Sequence, residues 1–68
     1  MKPTHDEAYD YAVDYAKTND IGDIEVLGCI TDTNLVHVSC IAGDIYYVID
    51  VWYGEDDNLC SECWRITI

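Results

Sequence analysis

Two very short turn segments constrain this chain most. Asp32-Thr33-Asn34 and Ala42-Gly43 interrupt a run of β-branched and aromatic residues that extends from Ile24 to Tyr53. Connections this short join antiparallel neighbours, because a parallel crossover needs about a dozen residues or more. The pattern predicts strands over 24–31, 35–41 and 44–53, with Asn34 in the left-handed position of the first loop. Residues 54–62 read as an acidic loop, and a fourth strand follows over 63–68.

Ahead of this β region the apolar period is that of a helix. Thr4-His5-Asp6-Glu7 has the capping-box form: the Thr4 hydroxyl accepts from the Glu7 N–H, and the Glu7 carboxylate accepts from the Thr4 N–H. Asp6 and Glu7 complement the positive end of the helix dipole, and Lys17 suits the negative end. A helix over 5–18 follows, ended by Asn19, Asp20 and Gly22. Its apolar stripe is Ala8, Tyr11, Ala12, Tyr15 and Ala16, with Tyr9 and Val13 at the margins. The fold class is α+β: one N-terminal helix packed on a four-stranded antiparallel meander, αββββ, in a single domain covering residues 1–68.

Strand alternation sorts the sheet into two faces. Val26, Ile30, Val36, Val38, Cys40, Ile45, Tyr47, Ile49 and Val51 should face the helix, joined by Trp64, Ile66 and Ile68. The other face carries Glu25, Leu27, His37, Ser39, Tyr46, Val48, Asp50, Trp52 and Arg65. One helix cannot cover both faces. Leu27, Tyr46, Val48 and Trp52 would then form an apolar patch of the kind that marks association, through a homodimer or a docked partner.

Charge narrows the function classes. The 68 residues hold 14 Asp and Glu against three Lys and Arg, a formal charge of −11. Solubility needs a magnitude of only about 2 to 8, and self-repulsion destabilises a compact state. Half the residues are apolar, which supplies a core and argues against a disordered acidic tail. Direct nucleic-acid binding is opposed, because phosphate contacts require Lys and Arg. No run reaches the roughly 18 apolar residues of a membrane span, and no signal-peptide pattern opens the chain. A cytoplasmic protein with reduced thiols is expected.

Several constellations could carry chemistry. Asp6, Asp10 and Asp14 recur at every fourth position with Glu7 beside them, so they share one helix face at intervals of about 6 Å, similar to phosphates along a strand. Glu55, Asp56 and Asp57 form a second acidic group, flanked by Trp52 and Tyr53, whose rings could stack on arginine. Cys60-Ser61-Glu62-Cys63 has the spacing of a redox pair or half a zinc site. A redox pair wants a helix N-terminus to lower the thiol pKa. A four-thiolate zinc site would need Cys29 and Cys40, and in a meander strands one and four lie about 14 Å apart. Structural thiols and no cofactor are the expectation. His5 and His37 have no nucleophile in a recognisable arrangement, and the four glycines are scattered rather than gathered in a phosphate loop. No enzymatic activity is expected.

In size, charge and one-helix-plus-sheet plan, the whole chain resembles the small acidic phage proteins that block bacterial defence nucleases, the anti-CRISPR and DNA-mimic inhibitors. The resemblance rests on no motif and assigns no residue. It implies a phage origin, a host-cell cytoplasmic setting, and a basic partner such as a nuclease or CRISPR effector whose nucleic-acid-binding surface is blocked. An immunity or antitoxin-like interaction module would use the same acidic surface without mimicry, and a cysteine-based zinc module is the third class.

Overall fold

The computed structural model describes residues 1–66. Helix α1 spans His5–Thr18, and strands β1 Glu25–Thr31, β2 Leu35–Ala42, β3 Ile45–Tyr53 and β4 Leu59–Ile66 form one antiparallel sheet in the order β1-β2-β3-β4. This is the αββββ arrangement that the sequence predicts. No helix among the described residues is long and apolar enough to cross a membrane.

The helix starts and stops where its chemistry dictates. Both capping-box bonds form: Thr4 N–H donates to Glu7 Oε1 at 2.9 Å, and Glu7 N–H donates to Thr4 Oγ1 at 3.1 Å. At the other end Asn19 Nδ2 donates to the Tyr15 carbonyl at 2.8 Å, and Asp20 (φ 62°) and Gly22 (φ 94°) turn the chain away. The buried stripe Ala8, Ala12 and Ala16 is small, so the helix backbone lies close to the sheet. Tyr11 and Tyr15 flank it with rings stacked 6.5 Å apart. The core is completed by Val36, Val38 and Cys40 of β2 and Ile49 and Val51 of β3, all fully buried.

Turn and bulge geometry moves several residues from their expected places. The β2–β3 turn is Gly43-Asp44, not Ala42-Gly43: Ala42 pairs with Ile45, and Gly43 supplies the positive φ of 61°. The β1–β2 loop also centres on two residues, Thr33 and Asn34, and Asn34 is not left-handed. A bulge at Leu27 then absorbs one residue, so that Val26 pairs with Cys40 but Gly28 pairs with Ser39. A one-residue slip exchanges the faces. The two-residue loop thus puts Cys29 and Thr31 on the helix face and Ile30 on the open face, 64% exposed, and the bulge returns Val26 to the helix face.

Strand β4 begins four residues earlier than expected. The loop is Gly54–Asn58, closed by Gly54 N–H to Asn58 O at 2.8 Å and by Asp57 at φ 60°. Tyr53 pairs with Leu59, which places Leu59, Ser61, Cys63 and Arg65 on the helix side. Trp64 and Ile66 accordingly lie on the open face, 51% and 43% exposed, rather than in the core, and Arg65 lies on the side opposite to the one expected. Ile68, assigned to the core from its sequence, lies outside the described residues.

Candidate functional site

The sheet separates two surfaces of different character. On the helix side, Asp6, Glu7, Asp10 and Asp14 are all exposed. Three bonds hold their helix in place. His5 Nε2 meets Thr31 Oγ1 of β1 at 2.6 Å, the Tyr53 hydroxyl at the end of β3 donates to Glu7 Oε2, and Ser61 of β4 meets the Tyr11 hydroxyl at 3.4 Å. A shallow groove of about 500 Å³ carries Glu7, Asp10 and Asp14 together with Tyr9, Tyr11 and Leu59.

The Glu7 carboxyl is held below its ordinary range, first by the Tyr53 hydroxyl and then by the Thr4 N–H. The Tyr53 phenol is raised by the same bond and by the charge of Asp57. Tyr53 thus links the first turn of the helix to the acidic loop. Within that loop the Asn58 side chain and N–H hold the Asp56 carboxyl low, and Glu55, Asp56 and Asp57 are all exposed. Among the described residues, no Asp or Glu forms an ion pair with Lys or Arg; the ion pairs present are those of His37 with Asp32 and Asp50.

The structure divides the expected contact residues. Glu7, Asp10 and Asp14 share the groove, and Tyr53 and Asp57 adjoin it. Asp6 lies toward β1, where its charge is felt by Cys29. Trp52 pairs with Leu35 and Cys60 on the open face, opposite to its neighbour Tyr53, so it does not join the helix carboxylates.

The two cysteines at CxxC spacing sit within β4, and three residues along a strand is an odd number of steps. Cys60 therefore lies on the open face and Cys63 on the helix face. Burial and the Asp6 charge push the Cys29 thiol up; burial and Cys63 raise Cys40 to about 11; burial raises Cys63. Shifts in that direction favour unreactive thiols. No group of three or more His, Cys, Asp or Glu among the described residues is placed to hold a metal ion.

The open face holds a polar network that the sequence did not single out. Asp50 accepts from His37 Nδ1 at 2.5 Å and from Trp64 Nε1 at 3.1 Å, and His37 Nε2 lies 3.4 Å from Asp32 Oδ2. The His37 imidazole is raised, chiefly by the Asp50 bond. The Asp32 carboxyl is lowered, first by the Thr33 N–H and then by His37. Apolar side chains surround the network, with Ile41 and Tyr46 on one side, Leu35 and Trp52 on the other, and Val48 beside Trp64. The signal that could have found it is cross-strand register: pairing Ala42 with Ile45 sets His37 opposite Asp50. Comparison with protein-family models, curated proteins and solved structures finds no match to this chain.

Proposed function

We propose that this chain is a non-catalytic acidic inhibitor that occupies the basic, nucleic-acid-binding surface of a partner protein, as DNA mimics do to nucleases and CRISPR effectors. One observation carries the reading. Glu7, Asp10 and Asp14 stand exposed along one ordered groove, on a helix tied to three strands, with no Lys or Arg ion pair among the described residues to neutralise them. A fixed row of unneutralised carboxylates costs self-repulsion in the free protein and is stabilised by a cationic surface. Such a surface sheds its bound counter-ions in the complex, so affinity falls steeply with salt. Tyr9, an exposed ring in the same groove, is available to stack on arginine. The setting is the cytoplasm of a host cell.

The test is a panel of purified nucleic-acid-binding nucleases, CRISPR effectors among them, assayed for duplex DNA binding with and without the chain. One target should lose DNA binding, excess DNA should compete, and inhibition should weaken as salt rises. Asp10→Lys with Asp14→Lys should weaken inhibition at least tenfold, about 1.4 kcal/mol, with an unchanged circular dichroism spectrum. Inhibition that survives both the double reversal and high salt would refute this reading. Salt-sensitive inhibition that DNA does not compete with would assign the surface to an immunity-like module instead.

A further inference from the structure

We propose that the open face of the sheet is a dimer interface, covered in solution by the same face of a second copy. Three observations converge on that occupant. The first is the make-up of the face. Ile41, Tyr46, Val48, Trp52, Trp64 and Ile66 surround the Asp50–His37 pair, and no element among the described residues packs over them. An exposed apolar patch of this extent is a mark of association.

The second is that the Asp50 carboxylate at its centre already has partners. Asp50 is bonded through both carboxylate oxygens, His37 Nδ1 and Trp64 Nε1 meet Asp50, and no buried side-chain nitrogen or oxygen among the described residues lacks a partner. An apolar surface can therefore close over this pair without orphaning His37 Nδ1 or Trp64 Nε1, which would cost about 1–3 kcal/mol each. A cationic partner would find the central carboxylate already engaged, whereas an apolar partner would not need it.

The third is area and charge together. Four strands about 4.8 Å apart, each of about eight residues at about 3.3 Å, give a face of roughly 500 Å² in projection. Two copies bury roughly 1,000 Å² before the relief of the side chains is added, which is the threshold a biological interface has to clear. A dimer carries twice the −11 charge of one chain, and the open-face geometry keeps the carboxylates of the two helices apart. Packed sheets lie about 10 Å apart with each helix beyond its own sheet, so the helix axes stand about 30 Å apart. That separation is several times the Debye length of about 8 Å at physiological ionic strength. Glu25 and Glu62 lie on the two outer strands, at the wet rim.

Analytical ultracentrifugation of the full chain over a concentration series tests this. The wild type should sediment as a dimer of the 7.7 kDa chain and remain one at about 1 M salt, where the Debye length falls to about 3 Å. Val48→Lys should shift it to monomer with an unchanged circular dichroism spectrum, whereas Asp10→Lys with Asp14→Lys should leave the dimer intact. Isotope-filtered nuclear Overhauser contacts on the wild type give a readout that needs no variant. Contacts between copies should involve the methyls of Ile41, Val48 and Ile66. A chain that stays monomeric at every concentration overturns the proposal, and so does a dimer whose contacts lie at the β4 edge or the helix. Failure here would not touch the inhibitor reading, which depends on the opposite surface and weakens with salt.

Discussion

Replacing Asp50 by Asn isolates the polar network on the open face. The carboxylate holds two donors, His37 Nδ1 at 2.5 Å and Trp64 Nε1 at 3.1 Å, and its side chain is only 14% exposed against 32% for His37. An amide offers one acceptor oxygen and no charge, so it can satisfy one of the two donors. A hydrogen bond to a charged group contributes about 1.5–3 kcal/mol and a neutral one about 0.5–1.5 kcal/mol. Because His37 is partly in water, the lower part of the first range applies, and the expected loss is about 2 kcal/mol while His37 is protonated. In a domain of this size that lowers the melting temperature by about 8–16 °C.

The pH dependence has a definite sign. The folded-state pKa of His37 is raised above its ordinary 6.5, chiefly by the Asp50 bond. Its contribution is therefore complete below the unfolded value and fades as pH rises through the folded one. Asp50 and Asp32 are the charged groups that meet the imidazole, and Glu62 lies beyond Asp50 on β4. Urea unfolding should be followed by tryptophan fluorescence at about pH 5.5 and about pH 8.5, either side of the usual imidazole value. Protein concentration must be matched, since self-association raises apparent stability. The wild type should lose stability between the two pH values, and Asp50→Asn should lose most of that slope. A loss under about 0.5 kcal/mol at both pH values, within the range of ordinary surface substitutions, would refute the assignment of the network as a stabilising element.

Two further outcomes follow from charge and close contact. Raising salt from about 0.05 M to about 0.5 M should raise the melting temperature, because it screens carboxylates that have no Lys or Arg ion pair among the described residues; a fall in thermal scans would contradict this. A Cβ added at Gly54 would lie 2.8 Å from Cys60 Sγ, so Gly54→Ala should destabilise by about 1–3 kcal/mol, and Cys60→Ala in the same chain should recover part of that loss in denaturant melts.

The helix and the inner strands were legible because their signals are local. Thr4 and Glu7 mark the start, Asn19 to Gly22 the end, and the alanines at 8, 12 and 16 the buried side. For β2 and β3, moving the turn from Ala42-Gly43 to Gly43-Asp44 shifts the register by two residues. An even shift preserves the faces, so Val36, Val38, Ile49 and Val51 fell correctly while His37 was set opposite the wrong residue. The outer strands failed for the complementary reason. The loop centres on two residues, Thr33 and Asn34, rather than three, an odd change that turns Ile30 outward, and the bulge at Leu27, which has no side-chain signature, returns Val26 to the helix face. In β4, Trp64 and Ile66 are apolar and were assigned inward by that property alone, but the five-residue loop Gly54–Asn58 fixes the opposite parity. Of the acidic positions, Glu7, Asp10 and Asp14 converge because helix period is a strong constraint, whereas Trp52 and Tyr53, adjacent in a strand, must diverge.

The placement of charge relative to the sheet bears on how both surfaces could work at once. Carboxylates on the helix lie across the sheet from the apolar face, so a cationic groove docked on α1 makes no contact with Val48 or Trp64. Covering the apolar face leaves Asp10 and Asp14 as exposed as before. A face-to-face dimer would then carry two acidic helices pointing in opposite directions. Two such helices cannot enter one groove side by side. They can hold two partner molecules, or two separated basic surfaces of one assembly, and in the second case linkage alone raises avidity by about 10²–10⁴ without a new contact. The Val48→Lys monomer separates these arrangements. Inhibition per chain that is unaffected by the loss of the dimer means that each helix acts alone. Inhibition that collapses while single-helix affinity is retained means that the sheet face exists to pair the helices.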